Sequence, residues 1–194
     1  MLQRLWIVML AAALFAPLGA HAAAPAWTID PARSSLTFDG TAMGAPFTGA
    51  FKKFGGQIVF DPNDLSHSYA AITIDITTVD AKDDDRNKYI GTKDWFDSAA
   101  FPIAIFKITR FEKTAADKYI AHGQLTLRDV TRPVDLPFTL EISSGADGHK
   151  IAKMHGDLAL NRLDFGIGNG EWRNPKTVGP SVTVHVAVTA TQTK

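Results

Sequence analysis

Five histidines follow residue 22, at positions 67, 122, 149, 155 and 185, and they are the side chains best suited to hold a metal or move a proton. No two are spaced i, i+4 on a helical face, and three fall on strand positions that point outward by parity. Scattered surface groups are therefore expected, and no metal. Asp83-Asp84-Asp85 lacks the glycine and the closing glutamate of a calcium-binding EF-hand loop, so it reads as a solvated charge run. No G-x-S-x-G nucleophile turn occurs. Gly166-Ile167-Gly168-Asn169-Gly170 precedes Glu171-Trp172 and no helix pattern, which removes the usual phosphate cradle. Cysteine is absent, and with it disulfides, thiolate metal sites, thiol catalysis and lipid attachment at an N-terminal Cys. Two weaker polar candidates remain. Arg86 and Asn87 lie in a charged insertion where they could meet a polar head group, and Arg162 with Asp164 is expected to form an ion pair that pins a loop.

The elements that must position these residues are strands. In residues 123–142 (GQLTLRDVTRPVDLPFTLEI) Leu125 and Leu127 share one parity, and Val134, Leu136, Phe138, Leu140 and Ile142 alternate with Asp135, Pro137, Thr139 and Glu141. A period of two over two runs joined by a short polar connector predicts a hairpin with one apolar face. Val182, Val184, Val186 and Val188 repeat the pattern at the end of the chain, and Ala70, Ile72, Ile74 and Ile76 near its middle. Residues 27–38 (WTIDPARSSLTF) contain a first strand interrupted at Asp30-Pro31. Residues 44–61 offer Phe47, Phe51, Phe54, Ile58 and Phe60 as one apolar face, with Gly49, Gly55 and Gly56 where a curved strand would bend or bulge. Further strands are expected at 101–111, 119–127 and 151–160, and a Gly-, Asn- and Pro-rich loop at 161–180. Residues 80–97 lose the period-two signal, keep few apolar anchors (Ala81, Tyr89, Ile90, Trp95, Phe96) and read as a short helix or two forming a mobile lid. About eight antiparallel strands in hairpin order predict an all-β domain, either a closed barrel or a sandwich.

The chain opens with one arginine, an apolar run from Leu5 to Leu18 and Ala20-His21-Ala22, the pattern of a secretory signal peptide cut after Ala22. Export to the periplasm is expected, with residues 23–194 as one domain. Lys plus Arg and Asp plus Glu are each 20, so removing Arg4 leaves a single excess acid. Such a balance supplies neither a basic patch for nucleic acid nor a polybasic grip on anionic lipid.

Laid end to end, several short motifs resemble the YceI-like family of exported lipid-binding proteins over essentially the whole mature length. They are Trp27-Thr28-Ile29-Asp30 with Ser34 and Phe38, Gly49-Ala50-Phe51 with Phe54 and Gly55, Phe60-Asp61, Ile74-Asp75 with Thr78, and Asp94-Trp95-Phe96-Asp97 before Phe101-Pro102. Gly123-Gln124-Leu125-Thr126-Leu127 with Val130-Thr131 and Val134, then Asn161-Arg162-Leu163-Asp164-Phe165-Gly166, complete the series. Departures from the family's common pattern, at Arg33, Arg86 to Ile90 and Asp129, fall on polar positions and not on the apolar faces.

The resemblance implies a lipocalin-like, antiparallel eight-stranded β-barrel with a short helical insertion, whose apolar tunnel holds a polyisoprenoid or quinone-like chain. The tunnel lining then falls to Phe38, to Phe47, Phe51 and Phe60, to Ile72, Ile74 and Ile76, and to Phe106. Leu125 and Leu127, then Leu136, Phe138 and Leu140, then Val184 and Val186 continue it, with Trp95 and Phe96 from the insertion and Phe165 from the late loop. No cofactor beyond such a lipid is expected. Quinone carriage would further imply a membrane redox partner such as a b-type cytochrome. The rival is a solidly packed, stress-protective interaction module in which the same residues simply form a core. A lipid hydrolase or isomerase comes third.

Overall fold

A computed structural model describes residues 24–146 and 148–193. The proposed leader, residues 1–22, lies outside the described residues. The first strand is broken in two, β1 (Ala26–Ile29) and β2 (Ser35–Ala42). The break is a single 3-10 turn over Pro31–Arg33, which Asp30 caps by accepting from the Ala32 N–H at 2.9 Å. Proline sits where its missing N–H costs nothing.

β3 (Ala45–Phe51) and β4 (Phe54–Val59) form a second broken strand. After β5 (Tyr69–Asp75) and the short β6 (Val79–Asp80) comes the one α-helix among the described residues, α1 (Asp84–Ile90). Five long strands follow: β7 (Ile103–Lys113), β8 (Lys118–Leu127), β9 (Val130–Ser144), β10 (Lys150–Asn161) and β11 (Ser181–Gln192).

All pairings are antiparallel and run in chain order, β4 with β5, β5 with β7, and onward to β11. The last strand then returns to the first: Ile29 faces Ala190 on β1, and Phe38 faces Val184 on β2. Counting each broken strand once, the sheet closes as an eight-stranded barrel with no open edge in its wall, which excludes the sandwich. β6 adds a two-residue pairing to β3 outside the ring.

Closure requires departures from strict alternation, and two of them correct the parity expected from sequence. Phe51 and Phe54 differ in parity, yet both line the interior, because Lys52 and Lys53 form the kink between β3 and β4 and reset the phase. In β7 the register shifts between Ile108 and Arg110, so Ala104, Phe106 and Ile108 point inward and so does Phe111. A bulge of this kind bends and twists a strand where the barrel curves. Gly55 and Gly56 do not interrupt the ladder, as β4 pairs with β5 without a break from Phe54 to Val59.

The β2–β3 hairpin turns through Met43 and Gly44, both at positive φ (50° and 80°), the conformation that two-residue hairpins favour. Gly49 serves a close approach: a Cβ there would lie 2.2 Å from the Phe38 ring, which occupies that space.

Candidate functional site

The barrel encloses a cavity of about 250 Å³. Its wall runs from Trp27, Phe60 and Phe111 at one end to Phe165, Ile167 and Val178 at the other. The hairpin registers fix which end is which. Tyr119 pairs with Phe138 at the first, and Leu127 with Val130 at the second, where the insertion and the 161–180 loop also lie.

At the first end the rings interlock. Phe60 meets Phe111 edge-on at 5.0 Å and Tyr119 at 5.7 Å, and Tyr119 stacks on Phe138 at 5.4 Å. Trp27 belongs to the same cluster and donates its indole N–H to the Phe60 carbonyl at 2.9 Å. Every one of these side chains is buried. Further along, Phe47, Phe38, Phe51 and Phe96 form a chain of successive ring contacts down one wall, at 6.3, 5.4 and 5.7 Å.

Of the residues expected to line a tunnel, the structure brings together on the cavity wall Phe38, Phe47, Phe51, Phe60, Ile72, Ile74, Ile76, Trp95 and Phe96. Phe106, Leu125, Leu127, Phe138, Leu140, Phe165, Val184 and Val186 join them. Leu136 does not. It is buried in the core beside Gly156 but forms no part of the wall. Met154, Leu158 and Leu160 of β10 line the cavity too, and their alternation with His155, Asp157 and Ala159 was readable in the sequence. Phe111 was hidden by the bulge. Trp27 and Ile29 were visible by alternation, but the strand break after them obscured their continuity with Leu36 and Phe38.

Arg86 and Asn87 fall elsewhere than expected. The Asn87 side chain accepts from the Ala81 N–H at 2.7 Å and donates to Asp80 at 3.1 Å, so it closes the turn into α1. Arg86 donates to the Ala81 carbonyl and lays its guanidinium 5.0 Å from the Phe47 ring centroid. Neither is on the cavity wall. Asp83 caps α1 by accepting from the Arg86 N–H at 2.9 Å, and Asp85 pairs with Lys88, so two of the three acidic side chains serve the helix itself.

Arg162 is the larger departure. Its expected partner, Asp164, is not engaged. The guanidinium is buried (4% exposed) and donates to five backbone carbonyls, those of Gly179, Ile167, Gly168, Trp172 and Val178. Five N–H groups and five acceptors leave no donor over. Burial pushes its pKa down, with a smaller push from Arg173, and no carboxylate compensates. The ring of Trp95 faces it at 5.5 Å. Arg128 braces the same region, donating to the carbonyls of Trp95 and Gly166, each at 2.9 Å. Gly168 and Asn169 in turn donate to the Asp94 carbonyl, which ties the late loop to the insertion. No sequence signal marks a loop-bracing arginine whose partners are all main chain.

The outer face carries the histidines. His185 on β11 bridges Asp157 on β10 (2.7 Å) and Asp39 on β2 (3.1 Å). Asp157 first, then Asp39, raise its pKa above the ordinary 6.5. His122 likewise spans Asp135 and Glu112 across β7 to β9. Among the described residues no group of three or more histidine or carboxylate side chains is arranged so that it could hold a metal ion, and no helix is long and apolar enough to cross a membrane.

A closed barrel with an apolar bore, a helical insertion and a loop folded over one end invites comparison with known proteins. The model of the YceI-like domain matches residues 27–190. The chain belongs to the YceI-like family. A UPF0312 protein of Vibrio parahaemolyticus is 31% identical over 170 residues, which cover 86% of this chain and 89% of that one. Among solved structures, Burkholderia cenocepacia BcnA superposes with a TM-score of 0.77 at 31% identity, covering 83% of this YceI-like chain and 98% of its own. A polyisoprenoid binding domain from Saccharophagus degradans, 16% identical, shares the fold with a TM-score of 0.69 over 87% of this chain and 99% of that one.

Proposed function

We propose that this YceI-like protein binds one long isoprenoid lipid, polyprenyl or quinone-like, in the bore of its barrel, and stores or carries it through the periplasm. The observation that carries the reading is the continuous apolar wall. Apart from Arg162, whose donors are all occupied, and Thr41, the side chains around the cavity are aliphatic, aromatic or, at Met154, a thioether. Burying each CH₂ of a tail is worth roughly 0.8 kcal/mol, so a free polyprenyl chain in an aqueous compartment is strongly driven into such a bore. The neighbour from Saccharophagus degradans, named for polyisoprenoid binding, supports the ligand class through the shared fold. Family and fold point to binding and away from catalysis, and Thr41, the one hydroxyl on the wall, has no histidine or carboxylate beside it there. Export rests on the leader-like pattern of residues 1–22.

Purification from the native host followed by organic extraction and mass spectrometry tests the proposal. One lipid per chain is expected. Its absence would favour the packed interaction module, and chemically altered lipid would favour an enzyme.

A further inference from the structure

Met43 is the most exposed large hydrophobic side chain among the described residues, at 84%. It stands at the tip of the β2–β3 hairpin with φ at 50°, a conformation that asparagine and glycine adopt with less strain. Neither the turn nor contact with water explains a methionine there. The tip projects at the end of the barrel that carries Trp95 and the late loop, where the Met43 N–H donates to the Thr177 carbonyl at 2.9 Å. Tyr89, half exposed in the last turn of α1, lies at the same end, its ring 5.5 Å from that of Trp172 in the late loop. Ile103 and Ile105, also exposed, begin β7 there, and Ile105 pairs with Thr126 just before β8 ends. Of the five exposed large hydrophobics among the described residues, Tyr69 alone is at the Trp27 end, where it pairs with Val59.

We propose that the Trp95 end is a membrane-docking surface, which settles on a phospholipid bilayer by shallow insertion of Met43 with Tyr89 and Trp172 at the level of the head groups. The inference rests on the lipid-binding reading above for its purpose, the exchange of lipid, and on the placement of these side chains for its location.

The arrangement favours a bilayer over a protein partner. The apolar groups come from a hairpin tip, a helix end and the start of β7, which is not a neighbour of β2 or β3 in the sheet. A stable protein interface buries roughly 800 Å² per partner in one contiguous patch, which such scattered anchors do not provide. The wall has no open edge to receive a partner strand. A bilayer accepts separated anchors one by one, each through the apolar area it removes from water. Tyrosine and tryptophan suit its surface because their rings are apolar at one end and polar at the other. Charge is not the driving force. Arg173 and Lys176 share the late loop with Glu171, and Lys88 and Lys93 follow the acidic run before them, so binding should not require anionic lipid.

The test uses residues 23–194. The chain has no cysteine, so Met43→Cys accepts a nitrobenzoxadiazole fluorophore at one position. Its emission should rise and shift to the blue on addition of phosphatidylcholine vesicles, equally at low and high salt and with no further gain from phosphatidylglycerol. The same label at Tyr69→Cys should emit as in water. Unlabelled protein is assayed by co-sedimentation with the same vesicles. Met43→Asn, which suits the turn and removes the apolar side chain, should lower the partition coefficient roughly tenfold, and Tyr69→Ser should leave it unchanged. No partition of the wild type, equal partition of Met43→Asn, an equal response at both labelled positions, or binding that requires phosphatidylglycerol and vanishes with salt overturns the docking surface. Self-association that Met43→Asn abolishes, without vesicle binding, also overturns it and makes a second copy the occupant. All these results leave the lipid-binding reading standing, because extraction of the native protein decides that separately. Docking through Met43 by a protein found to carry no lipid would support the surface and remove the lipid reading.

Discussion

The two ends of the bore are built on different principles. At the Trp27 end, Phe111, Tyr119 and Phe138 of three adjacent strands meet Phe60, the residue after β4, rings pack edge to face, and the one indole N–H is satisfied by the main chain. At the Trp95 end, closure depends on segments outside the strands, α1 with its following turn and the 161–180 loop, held by arginines through carbonyls. The first end is stabilised by packing, whose strength follows buried area and shape. The second is stabilised by polar bonds to two buried or half-buried cations, which specify position but tolerate loss of a partner badly. A binding barrel benefits from this asymmetry, with a fixed floor and an opposite end assembled from loops.

The contrast breaks most sharply at Arg162. Arg162→Met keeps the volume but strands five carbonyls, and we expect a loss of about 3–5 kcal/mol, a large share of the 5–15 kcal/mol typical of a domain. Denaturant unfolding measures it, and a loss under about 1 kcal/mol would show that the loop does not depend on the guanidinium. Next comes the packed floor: Phe111→Ala should cost about 3–4 kcal/mol, and Phe47→Ala, a half-buried wall residue toward the other end, about 1–2 kcal/mol. Equal losses would erase the distinction between floor and bore.

The two tryptophans separate the ends more finely. Trp27→Phe leaves the Phe60 carbonyl without its donor and should cost about 1–2 kcal/mol, counting lost volume, whereas Trp95→Phe removes an unpartnered N–H and should change stability by less than about 0.5 kcal/mol in the delipidated protein. A further small effect belongs to the outer face and not to either end. The His185 pKa is raised on folding by Asp157 and Asp39, so its contribution is complete below about pH 6.5 and disappears as pH rises through the folded value. The ring is partly exposed, so the change should stay below about 1 kcal/mol. Thermal midpoints should therefore fall slightly from acid toward neutral and alkaline pH, and His185→Gln should flatten that slope.

The strands were legible because alternation is a local property. Ala70 to Ile76, Leu125 with Leu127, and Val182 to Val188 face inward as parity dictates. What sequence obscured was phase. The Lys52-Lys53 kink and the β7 bulge each move a phenylalanine to the other parity, and nothing local distinguishes a kinked strand from a miscounted one. The polar residues misled for a related reason. Arg86, Asn87 and Arg162 are the types that meet head groups, but Arg86 and Asn87 are engaged by Ala81 and nearby aspartates around the start of α1, and Arg162 by main-chain carbonyls that only the fold gathers. Trp95, expected merely as a hydrophobic anchor, is notable for one nitrogen whose surroundings depend on segments some 70 residues apart.

The central claim is that the interior is a lipid-sized bore and not a solid core, and Ile74→Glu tests it most directly. Ile74 is 8% exposed and on the wall. In a solid core an unpaired carboxylate costs several kcal/mol and should largely unfold the domain. In a bore it can be hydrated once the lipid leaves. Circular dichroism and lipid content, measured together on protein from the native host, should find Ile74→Glu folded and lipid-free. Its midpoint should lie roughly 5–11 °C below that of the loaded wild type, the shift expected when a ligand present at about 100 times its dissociation constant is lost. An unfolded variant would contradict the bore, and a folded one that keeps stoichiometric lipid would place the ligand elsewhere.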